Sequence, residues 1–156
     1  MRTLYVLTLT CLLLAPAALH AQRERLAPDD LDFVDKTWPT AKKTNTGIRY
    51  IIEKEGVGEP PKPGDLVSVL YTGTLLNGKM FDQQLDPKHP LTFRVRRMAV
   101  IEGWDQVLQL MRPGEKRLVV IPADYAYGSR GQLPGIPPNS PLVFDMELIK
   151  VERIDE

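Results

Sequence analysis

The chain has 156 residues, 43% of them hydrophobic and 26% charged, which suits one soluble domain with appendages. Its 20 lysines and arginines balance 20 acids, so it has neither the basic footprint that a nucleic-acid partner requires nor an acidic tail. One cysteine and two histidines exclude a disulfide framework and leave too few ligands for a zinc site.

Residues 1–21 carry Arg2 as their one charge, an apolar run from Leu4 to Leu14 broken only by two threonines, and the small-residue tract Ala15 to Ala21. The pattern reads as a secretory signal peptide cleaved after Ala21. Its run falls short of the roughly 20 apolar residues of a membrane span; an uncleaved N-terminal anchor is the alternative. Cleavage would remove Cys11 and His20 and leave 19 bases against 20 acids. The product would be an exported chain, periplasmic or secreted, without stable membrane insertion and held together by core packing alone.

Residues 22–45 form a polar lead-in. Pro28-Asp29-Asp30 can open a short helix, since early acids suit its positive end, and Trp38-Pro39 would stop it. The expectation is a mobile tether with one helical turn; the alternative is that Phe33 and Trp38 dock on the domain or on a second copy. The main domain is placed at 46–153, with 154–156 as a tail.

From Gly47 the texture turns to short strands and tight turns. Ile48 to Ile52 is strand-like, and Gly56 to Asp65 is a turn-rich loop. Leu66 to Leu75 alternates, with Val67, Val69 and Tyr71 on one face. Asn77-Gly78 predicts a type I′ hairpin turn, because both residues tolerate positive φ. Asp86-Pro87 and His89-Pro90 break the chain before a strand at Leu91 to Val95. Trp104, Val107, Leu108 and Met111 then fall at i, i+3, i+4 and i+7, one helical face, and Arg112-Pro113-Gly114 closes it. Lys116 to Ile121 is a strand, residues 123–141 a long Gly- and Pro-rich loop of the kind usually kept for function. In the last strand Leu142, Phe144, Met146 and Leu148 share one face. One helix among antiparallel strands is an α+β pattern, the sheet wrapping its apolar face around that helix.

Most catalytic constellations are absent: no cysteine nucleophile survives processing, and neither G-x-S-x-G nor H-E-x-x-H occurs. Asp82 and Asp86 lack the setting of a glycosidase pair, and His89 stands alone beside Pro90. Aromatic and aliphatic residues near turns are present instead, namely Tyr71, Phe81, Phe93, Trp104, Tyr127 and Phe144. Such material makes an apolar binding pocket with a few polar tips rather than an acid/base centre.

Several motifs then line up in order. Val69-Leu70-Tyr71-Thr72-Gly73, Asn77-Gly78-Lys79-Met80-Phe81-Asp82, Val100-Ile101-Glu102-Gly103-Trp104, Tyr125-Ala126-Tyr127-Gly128, Ile136-Pro137-Pro138 and Leu142 to Leu148 resemble successive motifs of the FKBP-type peptidyl-prolyl cis-trans isomerases. The resemblance runs from about Gly47 to Val151. It implies a five-stranded antiparallel half-barrel wrapped around one short helix, and rotation of X-Pro bonds in proline-containing polypeptide clients, without metal or cofactor. It also implies that macrolide inhibitors of the family bind.

Residue by residue, the resemblance puts Trp104 on the pocket floor, Tyr71, Phe81, Val100, Ile101 and Phe144 in the walls, and Ile136 at a flap. The Ile101 backbone N–H and the Tyr127 hydroxyl would bond substrate carbonyls, and Asp82 would supply polarity at the wall. The chain departs from the family at four places. Leu91 replaces an aromatic wall residue, Pro87 an arginine near the aspartate, Gln132 a variable rim residue, and Arg96 a glycine. Asp82 would then lean on Tyr71, and the turn at Arg96 would be rebuilt, its arginines forming a solvated face or a basic rim for acidic clients. A weakly catalytic chaperone or adaptor module on the same fold is the alternative function.

Overall fold

The computed structural model describes residues 24–154; the signal-peptide reading of 1–21 lies outside them. The sheet is organised by the long strand Leu66–Leu75 (β3), whose alternation puts Val67, Val69, Tyr71, Gly73 and Leu75 inward. One edge of β3 pairs along its whole length with Leu142–Glu152 (β7), from Leu66↔Glu152 to Leu75↔Leu142. Its other edge is shared by two short strands, Met80–Gln84 (β4) and Leu91–Arg94 (β5).

Beyond β7 lie Lys116–Ile121 (β6), Arg49–Lys54 (β2) and the two-residue Lys42–Lys43 (β1), every pairing antiparallel. The seven strands therefore make five positions across the sheet once β1 is set aside and β4 and β5 are counted as one interrupted strand. The Asp86-Pro87 and His89-Pro90 pairs are what interrupt it, because proline cannot donate to a ladder.

The hairpin between β3 and β4 differs from the expected type I′ turn. Gly78 alone in the turn has positive φ (82°). Its N–H closes a turn on Leu75 O (2.9 Å), and Leu75 N–H donates to Lys79 O (2.9 Å). This is a three-residue loop, an ordinary turn followed by a left-handed glycine, and the strand register shifts next to it.

The central helix, Glu102–Leu108 (α2), lies in the concave face. Trp104, Val107, Leu108 and Met111 are all at most 3% exposed, and they pack with Val67, Val69, Met146 and Leu148. Gly103 is required by this packing. A Cβ there would stand 2.4 Å from Ile121 Cγ2, so only glycine lets the helix approach β6 this closely.

The lead-in is docked rather than loose. Pro28–Thr37 (α1) is a ten-residue helix with proline in its first turn and Asp29 and Asp30 beside it. Val34 is fully buried and, with Leu26, covers Val120 and Val143 on the outer face of β6 and β7. The docking residues are Leu26 and Val34, with Trp38 partly buried beside them; Phe33 stays 43% exposed.

Charge pins the same segment. Glu24 accepts from Lys43 Nζ (3.1 Å) and an Arg49 guanidinium nitrogen (3.0 Å), and from the backbone N–H groups of Arg25 and Leu26. Burial works against its ionised form, but these donors outweigh that and bring the pKa from 4.5 to about 2. A folded-state pKa below the unfolded value adds stability that is present above pH 4.5 and lost as pH falls toward 2. The Glu24 side chain is 28% exposed, so solvent screening reduces the effect. Glu24→Gln should lower stability by about 1 kcal/mol at pH 7 in urea unfolding, and the difference from wild type should vanish near pH 2.

Among the described residues no helix is long and apolar enough to cross a membrane.

Candidate active site

Strand pleat, helix start and loop converge at one end of the sheet. β3 turns Tyr71 inward, β4 supplies Phe81 and Asp82, β7 supplies Phe144, and β5 supplies Leu91. The residues just before α2 supply Val100 and Ile101, its first turn supplies Trp104, and the loop after β6 supplies Tyr127. These nine of the ten predicted site residues line one open cavity of about 220 Å³, together with Ala99. Ile136, the tenth, lines a neighbouring hollow that shares Phe81, Asp82 and Tyr127 with the first. Its side chain is 3% exposed and belongs to the core.

The floor is an aromatic stack set edge-on. Trp104 meets Tyr71 at 4.8 Å and Phe144 at 5.2 Å, both with interplanar angles of 84°, and Phe81 meets Phe144 at 5.8 Å and 89°. T-shaped pairs of this kind place positive ring edges on negative faces and hold the rings in one arrangement. Trp104 Nε1 is buried and has no hydrogen-bond partner among the described residues.

Gly73, which lies in β3 opposite Asp82 and Phe144, explains how two walls come so near. A Cβ there would lie 2.7 Å from Phe81 Cζ and 2.9 Å from Phe144 Cε1. Ala99 and Gly73 are the site-shaping residues that sequence reasoning missed. A glycine inside an alternating strand was the available signal for Gly73, since it marks close approach; Ala99 carried none beyond its place beside Val100.

Polar groups are few and specific. The Tyr71 hydroxyl donates to Asp82 Oδ2 at 2.6 Å, the partner that Pro87 cannot supply. Burial raises the Tyr71 pKa, and the Asp82 carboxylate raises it further. The Tyr127 hydroxyl is raised by burial and by Asp82 as well. Both phenols are therefore neutral donors at any physiological pH. Ile101 caps α2 with extended backbone (φ −60°, ψ 149°), and its carbonyl accepts the Trp104 N–H.

The nineteen-residue loop at 123–141 carries its own structure. It opens with a 3₁₀ turn at Ala123–Tyr125, Gly128 N–H returns to Ala123 O, and Gln132 and Ile136 exchange two backbone bonds of 2.8 and 2.9 Å. Tyr127 is thus presented from a braced segment.

The turn at Arg96 is not rebuilt. Arg96 keeps a left-handed backbone (φ 61°) and Met98 does likewise (φ 55°), at about 1–2 kcal/mol each for a side chain with a Cβ. The buried Asp105 carboxylate accepts the Arg96 N–H at 2.7 Å and secures the first of them.

Comparison with known proteins matches this geometry to a family. Residues 57–149 fit the family profile described as FKBP-type peptidyl-prolyl cis-trans isomerase. The chain is 47% identical to the FKBP-type peptidyl-prolyl cis-trans isomerase FkpA of Escherichia coli (strain K12) over 111 residues, 71% of this chain but 40% of FkpA. It is 51% identical to FK506-binding protein 1 of Kluyveromyces lactis over 92 residues, 58% of this chain and 80% of that protein. Among solved structures, a peptidyl-prolyl cis-trans isomerase from Pseudomonas syringae pv. tomato superposes with a TM-score of 0.71 at 38% identity, covering 80% of this chain and 92% of that one. The crystal structure of E. coli FkpA gives the same TM-score at 42% identity, over 80% of this chain and 58% of FkpA. A half-barrel closed on one helix, an aromatic cavity at the start of that helix and a profile match over most of the domain agree, and the chain belongs to the FKBP-type peptidyl-prolyl cis-trans isomerase family.

Proposed function

We propose that this protein accelerates cis–trans rotation of X-Pro bonds in exported polypeptide clients, and that the cavity on Trp104 is where the proline sits. The observation that carries the reading is a pocket of about 220 Å³ with an aromatic floor and walls and few polar groups. Export rests on the sequence pattern of residues 1–21.

The barrier to be lowered is about 18–20 kcal/mol and arises from amide resonance, so no bond has to break. The planar amide is the more dipolar state and is favoured by water; twisting localises the nitrogen lone pair and weakens that dipole. An apolar pocket therefore disfavours the ground state more than the twisted one, and only that difference gives rate. The Ile101 N–H and the Tyr127 hydroxyl bond carbonyls of the client and hold it near the twisted geometry. The Tyr71 hydroxyl holds the Asp82 carboxylate in one orientation at the wall. Leu91 completes the apolar lining. The same cavity takes macrolide inhibitors, with less ring stacking where Leu91 stands.

A proline-limited refolding assay tests the reading. The mature protein should accelerate the slow phase, and Tyr127→Phe should lower kcat/KM about tenfold, the loss of one hydrogen bond of roughly 1–1.5 kcal/mol. No acceleration beside an active control isomerase would overturn it.

A further inference from the structure

The loop at 123–141 leaves β6 after Ile121 and rejoins the sheet at Leu142, so the strands hold it at its two ends. Inside it, Gly128 N–H bonds Ala123 O, Gly131 N–H bonds Tyr127 O, and Asn139 N–H bonds Gly128 O. Those bonds set the shape of the loop; its seat against the domain depends on what touches it from outside. That seat matters, because Tyr127 is 36% exposed and its hydroxyl has to meet a client carbonyl. A misplacement of about 1 Å is enough to lose rate.

The lead-in touches the loop at its start. Arg25 Nη1 donates to Asp124 Oδ2 at 3.0 Å, and the same guanidinium carbon lies 4.8 Å from the centre of the Tyr125 ring. Asp124 and Tyr125 belong to the 3₁₀ turn that opens the loop, and Tyr127 follows two residues later. Tyr125 also packs against the main core, so its ring is held by the core and by Arg25. The lead-in meets the far end of the loop as well. Asp30 of α1 lines a hollow of about 270 Å³ with Pro137, Asn139, Ser140 and Pro141.

Arg25 is itself firmly placed. Leu26 beside it is buried on the outer face of β6 and β7. Glu24, on its other side, accepts the Arg25 N–H at 2.9 Å and is tied to Lys43 and Arg49. An exposed ion pair between two loose side chains adds little, because ordering both offsets the attraction. Here the backbone of Arg25 is already fixed, its side chain is only 32% exposed, and the Tyr125 ring adds a cation–π attraction. Arg25 and Asp30 both lie outside the matched family region 57–149, so these contacts reach the loop from beyond it.

We infer that Arg25 is a positioning residue for the isomerase: through Asp124 and Tyr125 it seats the loop so that Tyr127 reaches the cavity. The inference rests on the reading of the Tyr127 hydroxyl as a donor to the client.

A double-mutant cycle tests it, with kcat/KM for a proline peptide measured on the mature protein. Arg25→Ala should lower kcat/KM about threefold, in keeping with one partly exposed ion pair and cation–π contact. In a Tyr127→Phe background the same substitution should lower it by less than about 1.5-fold, because the hydroxyl that Arg25 positions is gone. Equal losses in the two backgrounds, or no loss in the first, overturn the inference. Amide hydrogen exchange gives a readout that needs no activity. Gly128, Gly131 and Asn139 should exchange at least about threefold faster in Arg25→Ala, with the amides of β6 unchanged. Unchanged exchange in the loop overturns the inference. So does an equal rise in β6, which would make Arg25 a general contributor to stability. If the wild type isomerises no peptide, the isomerase reading has failed, and the exchange rates still decide whether Arg25 seats the loop.

Discussion

Val34→Asp should destabilise the protein by about 3 kcal/mol or more, although Val34 lies outside the matched family region and far along the chain from the pocket residues. Val34 is fully buried under α1 against the outer face of β6 and β7, so an aspartate there loses its water. Against a total stability of about 5–15 kcal/mol, such a loss is large. Phe33→Asp is the internal control. It sits on the same helix but is 43% exposed, and should change stability by no more than about 0.5–1 kcal/mol. Urea unfolding of both variants at pH 7 decides the matter. Equal midpoints would mean that α1 does not cover the sheet in solution. With α1 docked, deleting residues 22–38 should expose Val120 and Val143 and promote association, which light scattering would read.

Gly73→Ala is the second large effect, and it falls on function. The added methyl would stand 2.7 Å from Phe81 and 2.9 Å from Phe144, two rings that form a T-shaped pair with each other and line the cavity. Both cannot stay, and a shift of either narrows a pocket of about 220 Å³. The expected result is a loss of at least about tenfold in kcat/KM for a proline peptide, with about 1–3 kcal/mol of stability lost to overpacking. Gly78→Ala separates the two effects. Its Cβ meets nothing within 4 Å, but its φ is 82°, so it should lose about 1–2 kcal/mol of stability through backbone strain and leave activity as it was. Equal activity losses in the two variants would show that Gly73 acts through general stability and not through the aromatic walls.

The strands were legible where one face is buried. In β3 and β7 every second side chain is inward, and the period of two is written directly in Val67-Val69-Tyr71 and in Leu142-Phe144-Met146-Leu148. The helical stripe at Trp104, Val107, Leu108 and Met111 was legible for the same reason, with a period of 3.6. The docking of α1 was not. Its apolar residues are too few to show a period, and its partner surface consists of Val120 and Val143, which face away from the main core. A faint signal existed: Val119, Val120 and Ile121 are consecutive and all fully buried, the mark of a strand covered on both faces. At Arg96 the residue type argued for a new turn, yet the left-handed backbone survives because Asp105, nine residues later, accepts its N–H.

By itself the sequence determined what depends on near neighbours: the alternating strands, the amphipathic helix and the proline breaks. Motif order also carried the family, and with it the names of the pocket residues. Only the tertiary structure decided how those residues meet: the edge-on stack on Trp104, the glycine gap at Gly73 and the docked α1. The physical reason is range. Backbone preference and side-chain period act over a few residues, whereas burial, ring contact and hydrogen bonding join positions as distant as Val34 and Val143, and no local pattern encodes which partners those will be.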